Sequence, residues 1–209
     1  MQKKYVWDEQ AAIDDFLGTQ EIGHLSTVDE DGWPHTVPVN YVWHGGAIYM
    51  HGGPGLKVTN LRRSPKATFT VTEALGILTV DLTSNPCHDT QLGRSVILRG
   101  HLREIKLPDQ KLRFLNKIIA KYDQAAARRL EEGHVTPEGI SDQAAFHHCI
   151  VLELQAEALT ARQQFLNGKP EKYRKTAAAY FQRRGQELGT ERDYKTALLI
   201  SQALEKELG

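Results

Sequence analysis

The sequence predicts a mainly β protein, an antiparallel barrel or sandwich with flanking helices. Six or seven short runs alternate apolar and polar residues with the two-residue period of a strand. Hairpin and glycine signals separate them, and few helical stretches interrupt them, which means an antiparallel barrel or sandwich.

The elements follow in chain order. Asp8 is placed to cap a short amphipathic helix over Glu9–Leu17, with Ala12, Ile13, Phe16 and Leu17 on one face and Gly18 ending it. Ile22–Val28 alternates as a strand, Asp31-Gly32 signals a hairpin, and Trp33–Trp43 returns with Val37, Val39 and Tyr41 in phase. Pro34 and Pro38 assign that return strand to an edge or a bulge, because proline cannot donate to a ladder. Gly45-Gly46 turns the chain into Ala47–His51. After a short helix, Ala67–Thr72 and Ile77–Leu82 read as two strands, and Thr83–Gly93 as a loop. Arg94–Ile105 reads as a long strand broken at Gly100 by a bulge. Pro108 opens a helix with Leu112, Leu115, Ile118 and Ile119 on one face; a second helical run covers Gln124–Glu132, and His147–Ala158 is the last strand. Glu171–Leu188 and Glu191–Leu208 form amphipathic helices with charges on their outer faces. These boundaries divide the chain into a barrel domain over 1–160 and a helical extension over 161–209.

Bulk properties exclude several function classes. Lys+Arg and Asp+Glu number 26 each in 209 residues, which argues against nucleic-acid binding through a general basic field. Two cysteines, Cys87 and Cys149, are too few for a disulfide framework and too separated for a zinc knuckle. No apolar run reaches membrane-spanning length and MQKKYVWDEQ lacks a hydrophobic signal core, so the expectation is a reduced cytoplasmic protein.

Chemistry concentrates in Ile48–Leu61, IYMHGGPGLKVTNL. A strand ending on His51 breaks into Gly52-Gly53-Pro54-Gly55 and reopens as a helix carrying Lys57. Glycines allow close backbone approach, the first helical N–H groups point outward, and a lysine adds a charge, a combination suited to an anion. The P-loop spacing is absent, so a phosphomonoester fits better than a nucleoside triphosphate. An ordinary strand-to-helix turn with a solvated lysine is the alternative.

The succession GHLSTVDEDGWPHTVPVNYVW, IYMHGGPGLKVTNLRRSPKATFTV and GRSVILRGHLREI resembles the pyridoxamine 5′-phosphate oxidase-like split-barrel flavoproteins, closest to the branch with the 5-nitroimidazole reductases. KLRFLNKIIAKY is similar to that branch's following helix, and the likeness spans about residues 10–155 without reaching the C-terminal helices. The resemblance implies a six-stranded antiparallel split β-barrel, dimerising to hold FMN in clefts between two subunits. It implies that Pro38, Val39, Asn40 and Tyr41 line the isoalloxazine, and that His51 flanks the ring or ribityl chain. It implies that Gly55 and Lys57 receive the phosphate, with Gly52 also in the cofactor site, and that Arg94 and Ser95 complete the phosphate or ribityl contacts. A lysine and an arginine converging on one dianion is what charge-assisted phosphate binding requires.

His51 also has a catalytic reading through the nitroimidazole-resistance relatives, beside a flavin-contacting or core role. Cys87-His88 lies in a loop that can carry a redox thiol or simply a small apolar residue. His147, His148 and Cys149 resemble metal ligands, but on a strand only His147 and Cys149 share a face, too few for zinc, and no metal is expected. Trp33, Trp43 and Tyr49 can stack on flavin or fill the core. The C-terminal strand motif with which B6 oxidases grip their substrate is missing, which places oxidation of pyridoxamine phosphate in doubt. The expectation is therefore a homodimeric FMN oxidoreductase. It passes electrons to a small acceptor such as a nitro-aromatic or quinone, with NAD(P)H as a candidate reductant. A non-catalytic haem- or flavin-binding protein is the alternative.

Overall fold

The computed structural model describes residues 3–134, 139–140 and 142–208. They form two compact units, neither continuous in sequence: Glu9–Val71 with Val96–Thr160, and Met1–Asp8 with Thr72–Ser95 and Ala161–Gly209.

The first unit is the barrel. Its strands are β1 (Ile22–Val28), β2 (Pro34–Asn40), β3 (Val42–His44) and β4 (Ala47–Gly52), with parts of β5 (Lys66–Leu78), β6 (Thr90–Ile105) and β7 (Ile150–Gln164). The sheet order is β2-β1-β5-β6-β7-β4-β3. β2 and β3 are opposite edges of that order, yet one residue, Tyr41, joins them. A sheet whose two edges are consecutive in the chain must curl back on itself, and this closes the barrel.

β1 and β2 pair antiparallel around the Asp31-Gly32 turn, with Leu25 opposite Val37 and His24 opposite Pro38. Gly32 takes φ +86°, and Asp29 accepts from the N–H groups of Asp31 and Trp33, so the hairpin forms where the sequence placed it. Pro34 and Pro38 do lie on an edge strand. The expected Trp33–Trp43 strand is instead divided at Tyr41. This residue turns into the core, fully buried, with its ring edge-on to Phe69 at 5.0 Å. Burying rings such as these contributes about 1.5–3 kcal/mol each.

α1 (Gln10–Thr19) starts one residue later than expected and continues through Gly18. Glu9 rather than Asp8 is the N-cap, and no side chain caps it. Ile13, Phe16 and Leu17 are its buried face. α2 (Leu56–Arg63) follows the glycine loop. The expected strands at 67–72 and 77–82 are one strand, β5, because the alternation of buried residues continues through Glu73. Beyond β5, Val80–Thr83 is a short helix, α3. β6 runs unbroken through Gly100. Glycine is needed there for a close approach: a Cβ on Gly100 would lie 1.8 Å from the Gln155 carbonyl oxygen on β7. α4 (Pro108–Tyr122) packs Leu115 and Ile118 with Val42, Ile105, Phe146 and Val151. α5 (Gln124–Glu131) follows it directly. His147 and His148, expected on the last strand, end a short helix, α6 (Ala144–His148), and β7 begins only at Ile150.

The second unit holds the far halves of β5 and β6, the end of β7, a 3-10 turn at Pro86–His88, and helices α7 (Glu171–Leu188) and α8 (Glu191–Leu208). Both helices have the bounds that their apolar periodicity predicts. Phe181, Ala177 and Ile200 pack with Leu75, Leu78, Leu92 and Phe165 in a core of their own. Arg184 donates to both oxygens of the buried Asp193 at 2.7 and 2.6 Å, holding that carboxyl below its usual range. No described helix is long and apolar enough to cross a membrane.

Candidate functional site

The candidate site in the barrel unit starts where β4 ends. His51 and Gly52 still pair with Val151 and Ile150 of β7, and the chain then leaves the sheet through Gly53-Pro54-Gly55. Gly55 is the N-cap of α2: its carbonyl accepts from the N–H groups of Val58 and Thr59 at 2.9 and 3.1 Å. No side chain caps this end. Of the first turn, the N–H groups of Leu56 and Lys57 therefore lack intrahelical acceptors, and they mark the positive end of the helix dipole.

Two buried residues fix the helix. Val58 is 4% exposed and Asn60 2% exposed, and the Asn60 amide donates to the Thr27 hydroxyl on β1 at 3.0 Å. With that face anchored, Lys57 lies over the loop, its ammonium donating to the Gly53 carbonyl at 3.3 Å and lying 3.3 Å from where a Gly52 Cβ would sit. Among the described residues no carboxylate pairs with it. His51, Gly52, Gly55 and Lys57 are thus gathered on one glycine loop.

Beside them stands a residue that sequence spacing does not reveal. The Cys149 sulfur lies 3.6 Å from Nδ1 of His51, across 98 positions of chain. Burial, and secondarily the Lys57 charge, hold the His51 pKa below the ordinary histidine value, so its imidazole is neutral at neutral pH. Among the described residues no group of three or more His, Cys, Asp or Glu side chains is arranged to hold a metal.

β2 supplies the other expected lining. None of its seven residues is buried, and as an edge strand it leaves one row of main-chain groups unpaired within the sheet. Pro38 and Val39 pair with His24 and Gly23, while the Asn40 amide donates to the Glu21 carbonyl at 3.2 Å. Tyr41 offers no side chain to a ligand, because its hydroxyl donates to the Leu17 carbonyl at 2.8 Å inside the core. Tyr49 is likewise committed. It stacks on Phe114 at 3.7 Å, and its hydroxyl donates to Glu153 at 2.8 Å. Burial and that carboxylate push its pKa to about 12. Trp43 donates to Asp14, whereas Trp33 is 70% exposed.

Arg94 and Ser95 belong to the other unit. There Nε and Nη2 of Arg94 donate to one oxygen of Glu73 at 2.9 and 2.6 Å, and Lys195 pairs with the second oxygen. Burial works against the Glu73 charge, but these two cations outweigh it and hold the carboxyl below its usual range. Arg94 and Ser95 line a cleft of 230 Å³ with Arg162 and Gln164. Cys87 and His88 lie exposed on the 3-10 turn of the same unit.

A family model described as pyridoxamine 5′-phosphate oxidase matches residues 9–163. Among curated proteins no match is found. Several solved structures share the fold. A Bacteroides thetaiotaomicron protein described as a 5-nitroimidazole antibiotic resistance protein is 19% identical, with 75% of this chain and 85% of that one covered and a TM-score of 0.58. A flavocytochrome from Azotobacter vinelandii is 18% identical over 81% and 74%, with a TM-score of 0.65. A Mycobacterium smegmatis protein described as FAD and heme binding is 17% identical over 82% and 78%, with a TM-score of 0.64. At these identities the structures speak for the fold, and the family model for the lineage. With the family model matched over 9–163, the chain belongs to the pyridoxamine 5′-phosphate oxidase family.

Proposed function

We propose that the chain is an FMN-binding oxidoreductase, a homodimer with the cofactor between subunits, passing electrons to a small acceptor such as a nitro-aromatic or quinone. The observation that carries this reading is the uncapped start of α2 behind a glycine loop, with the Lys57 ammonium folded over it. The N–H groups of Leu56 and Lys57, a dipole end and a lysine that pairs with no described carboxylate fit a phosphomonoester in charge and size.

In this reading Lys57 and the first turn of α2 hold the FMN phosphate. The open edge of β2, from Pro38 to Asn40, offers main-chain groups to the ring. His51, neutral and steadied by Cys149, sits at the rim as a hydrogen-bonding partner that adds no charge. Flavin, when bound, supplies two-electron redox chemistry, and the chain supplies position and electrostatics. Arg94, in the other unit, is engaged by Glu73 and has no part in this reading. Flavin also appears in the descriptions of two structural relatives, one a flavocytochrome and one FAD and heme binding, which agrees with the reading without specifying FMN.

The test is an absorbance spectrum of the purified protein, followed by denaturation and identification of the released cofactor. Flavin bands with released FMN are expected. A Soret band without flavin would replace the reading with haem binding, and a colourless protein that also fails to take up added FMN would end it.

A further inference from the structure

The second unit contains a cavity of 550 Å³ that the flavin reading does not use. It is larger than the 230 Å³ cleft at Arg94 and Ser95, and within the size range of small-molecule sites. Its walls come from four separate stretches of chain: Tyr5, Leu78 and Leu82, the 3-10 turn with Cys87 and His88, and the segment after β7 with Leu166, Lys169 and Tyr173.

The lining has a definite chemistry. Leu78 and Leu166 are buried members of this unit's core that also border the cavity, so its floor is apolar. Two tyrosines, Tyr5 and Tyr173, also line it, both only partly buried, and the Lys4 ammonium and Arg162 guanidinium each lie 4.9 Å from the centre of the Tyr5 ring. Asp89 also lines the cavity, its carboxylate accepting from the Thr83 hydroxyl at 2.7 Å. Lys169 also lines the cavity, and no described carboxylate pairs with it.

Backbone conformation points to the same place. Among the described residues only Ser84 and Leu166 combine a side chain with a positive φ, at +58° and +64°. Leu166 lines the cavity and Ser84 follows the lining Thr83. An L-residue, above all a bulky leucine, seldom adopts this conformation unless its surroundings impose it, and such residues cluster around ligand sites. Here an Asn167 side chain accepting the Phe165 N–H at 2.9 Å locks the Leu166 turn.

We infer that this cavity is a second small-molecule site, separate from the flavin loop, and that it takes a planar aromatic molecule bearing one acidic group. The ring lies on the leucine floor between Tyr5 and Tyr173, and the acid meets Lys169. A neutral aliphatic ligand would leave the aromatic lining and the ammonium unused, and a cation would meet Lys169 unfavourably.

The test uses the full chain with any cofactor it retains, and 2-naphthoate as the probe in titration calorimetry. One saturable site is expected. Lys169→Ala should weaken it about tenfold, and Lys169→Arg should restore most of the affinity. The uncharged 2-naphthylmethanol should bind the wild type and Lys169→Ala equally. Lys169 is exposed, so its replacement leaves the fold intact, which an unchanged melting temperature would verify. Absence of saturable 2-naphthoate binding, or equal affinity in Lys169→Ala, would overturn the inference whatever the flavin content proves to be.

Discussion

The hydroxyl of Tyr122 closes the barrel seam at Tyr41: it accepts the Tyr41 N–H at 3.0 Å and lies 2.8 Å from the Tyr41 carbonyl and 2.6 Å from that of Glu21. Tyr41 stands between two strands at opposite edges of the sheet, so neither ladder can serve its main-chain groups. The last turn of α4 does so instead. Tyr122→Phe removes the acceptor and leaves a part-buried N–H unmatched. The expected loss is about 1–3 kcal/mol of unfolding free energy, read by urea denaturation with an unchanged m-value.

Lys121 works at the same seam, donating to the carbonyls of Gln20 and Tyr41 at 2.6 and 3.1 Å. Burial lowers its pKa to about 8, against a smaller opposing pull from Glu21. Between that value and the ordinary lysine range the unfolded chain binds the extra proton, so this group's contribution to stability rises with pH. Wild type should therefore gain stability relative to Lys121→Met as pH climbs from about 7.5 to about 9.5. Parallel denaturation curves at the two pH values measure the difference, and a constant gap would refute it.

For the flavin loop, Lys57→Ala removes one charge-assisted phosphate contact. FMN affinity should fall by about 1.5–3 kcal/mol, roughly ten- to 150-fold, in a fluorescence-quenching titration. Lys57→Arg should keep most of the binding. Unchanged affinity in Lys57→Ala would place the phosphate elsewhere.

Two glycines give opposite expectations for one substitution. Gly100→Ala drives a Cβ to 1.8 Å from the Gln155 carbonyl, which only a shift of the β6 or β7 backbone can relieve. A loss of about 3 kcal/mol, or failure to fold, is expected. Gly18→Ala, within α1 and with nothing within 4 Å of its Cβ, should stabilise by about 0.5–1 kcal/mol. Thermal melts of the two variants give the comparison directly.

Local pattern determined much of this protein. The Asp31-Gly32 hairpin, the proline-bearing edge strand, α2 behind its glycine loop and both C-terminal helices are legible because turn chemistry and apolar periodicity act over a few neighbouring residues. The gathering of His51, Gly52, Gly55 and Lys57 was legible for the same reason, since they are close in the chain. Tertiary structure decided what depends on distant partners. Tyr41 breaks a well-patterned strand because a buried slot and Tyr122 await it, and β5 continues through Glu73 because Arg94 and Lys195 neutralise that carboxylate. His147 and His148 leave the sheet for a helix whose Phe146 packs into the α4 core, which carries Cys149 to His51. Such pairings, 50 positions apart for Arg103 and Glu153 no less than the 98 between His51 and Cys149, leave no trace in local spacing, because burial and charge compensation are settled only when the chain folds.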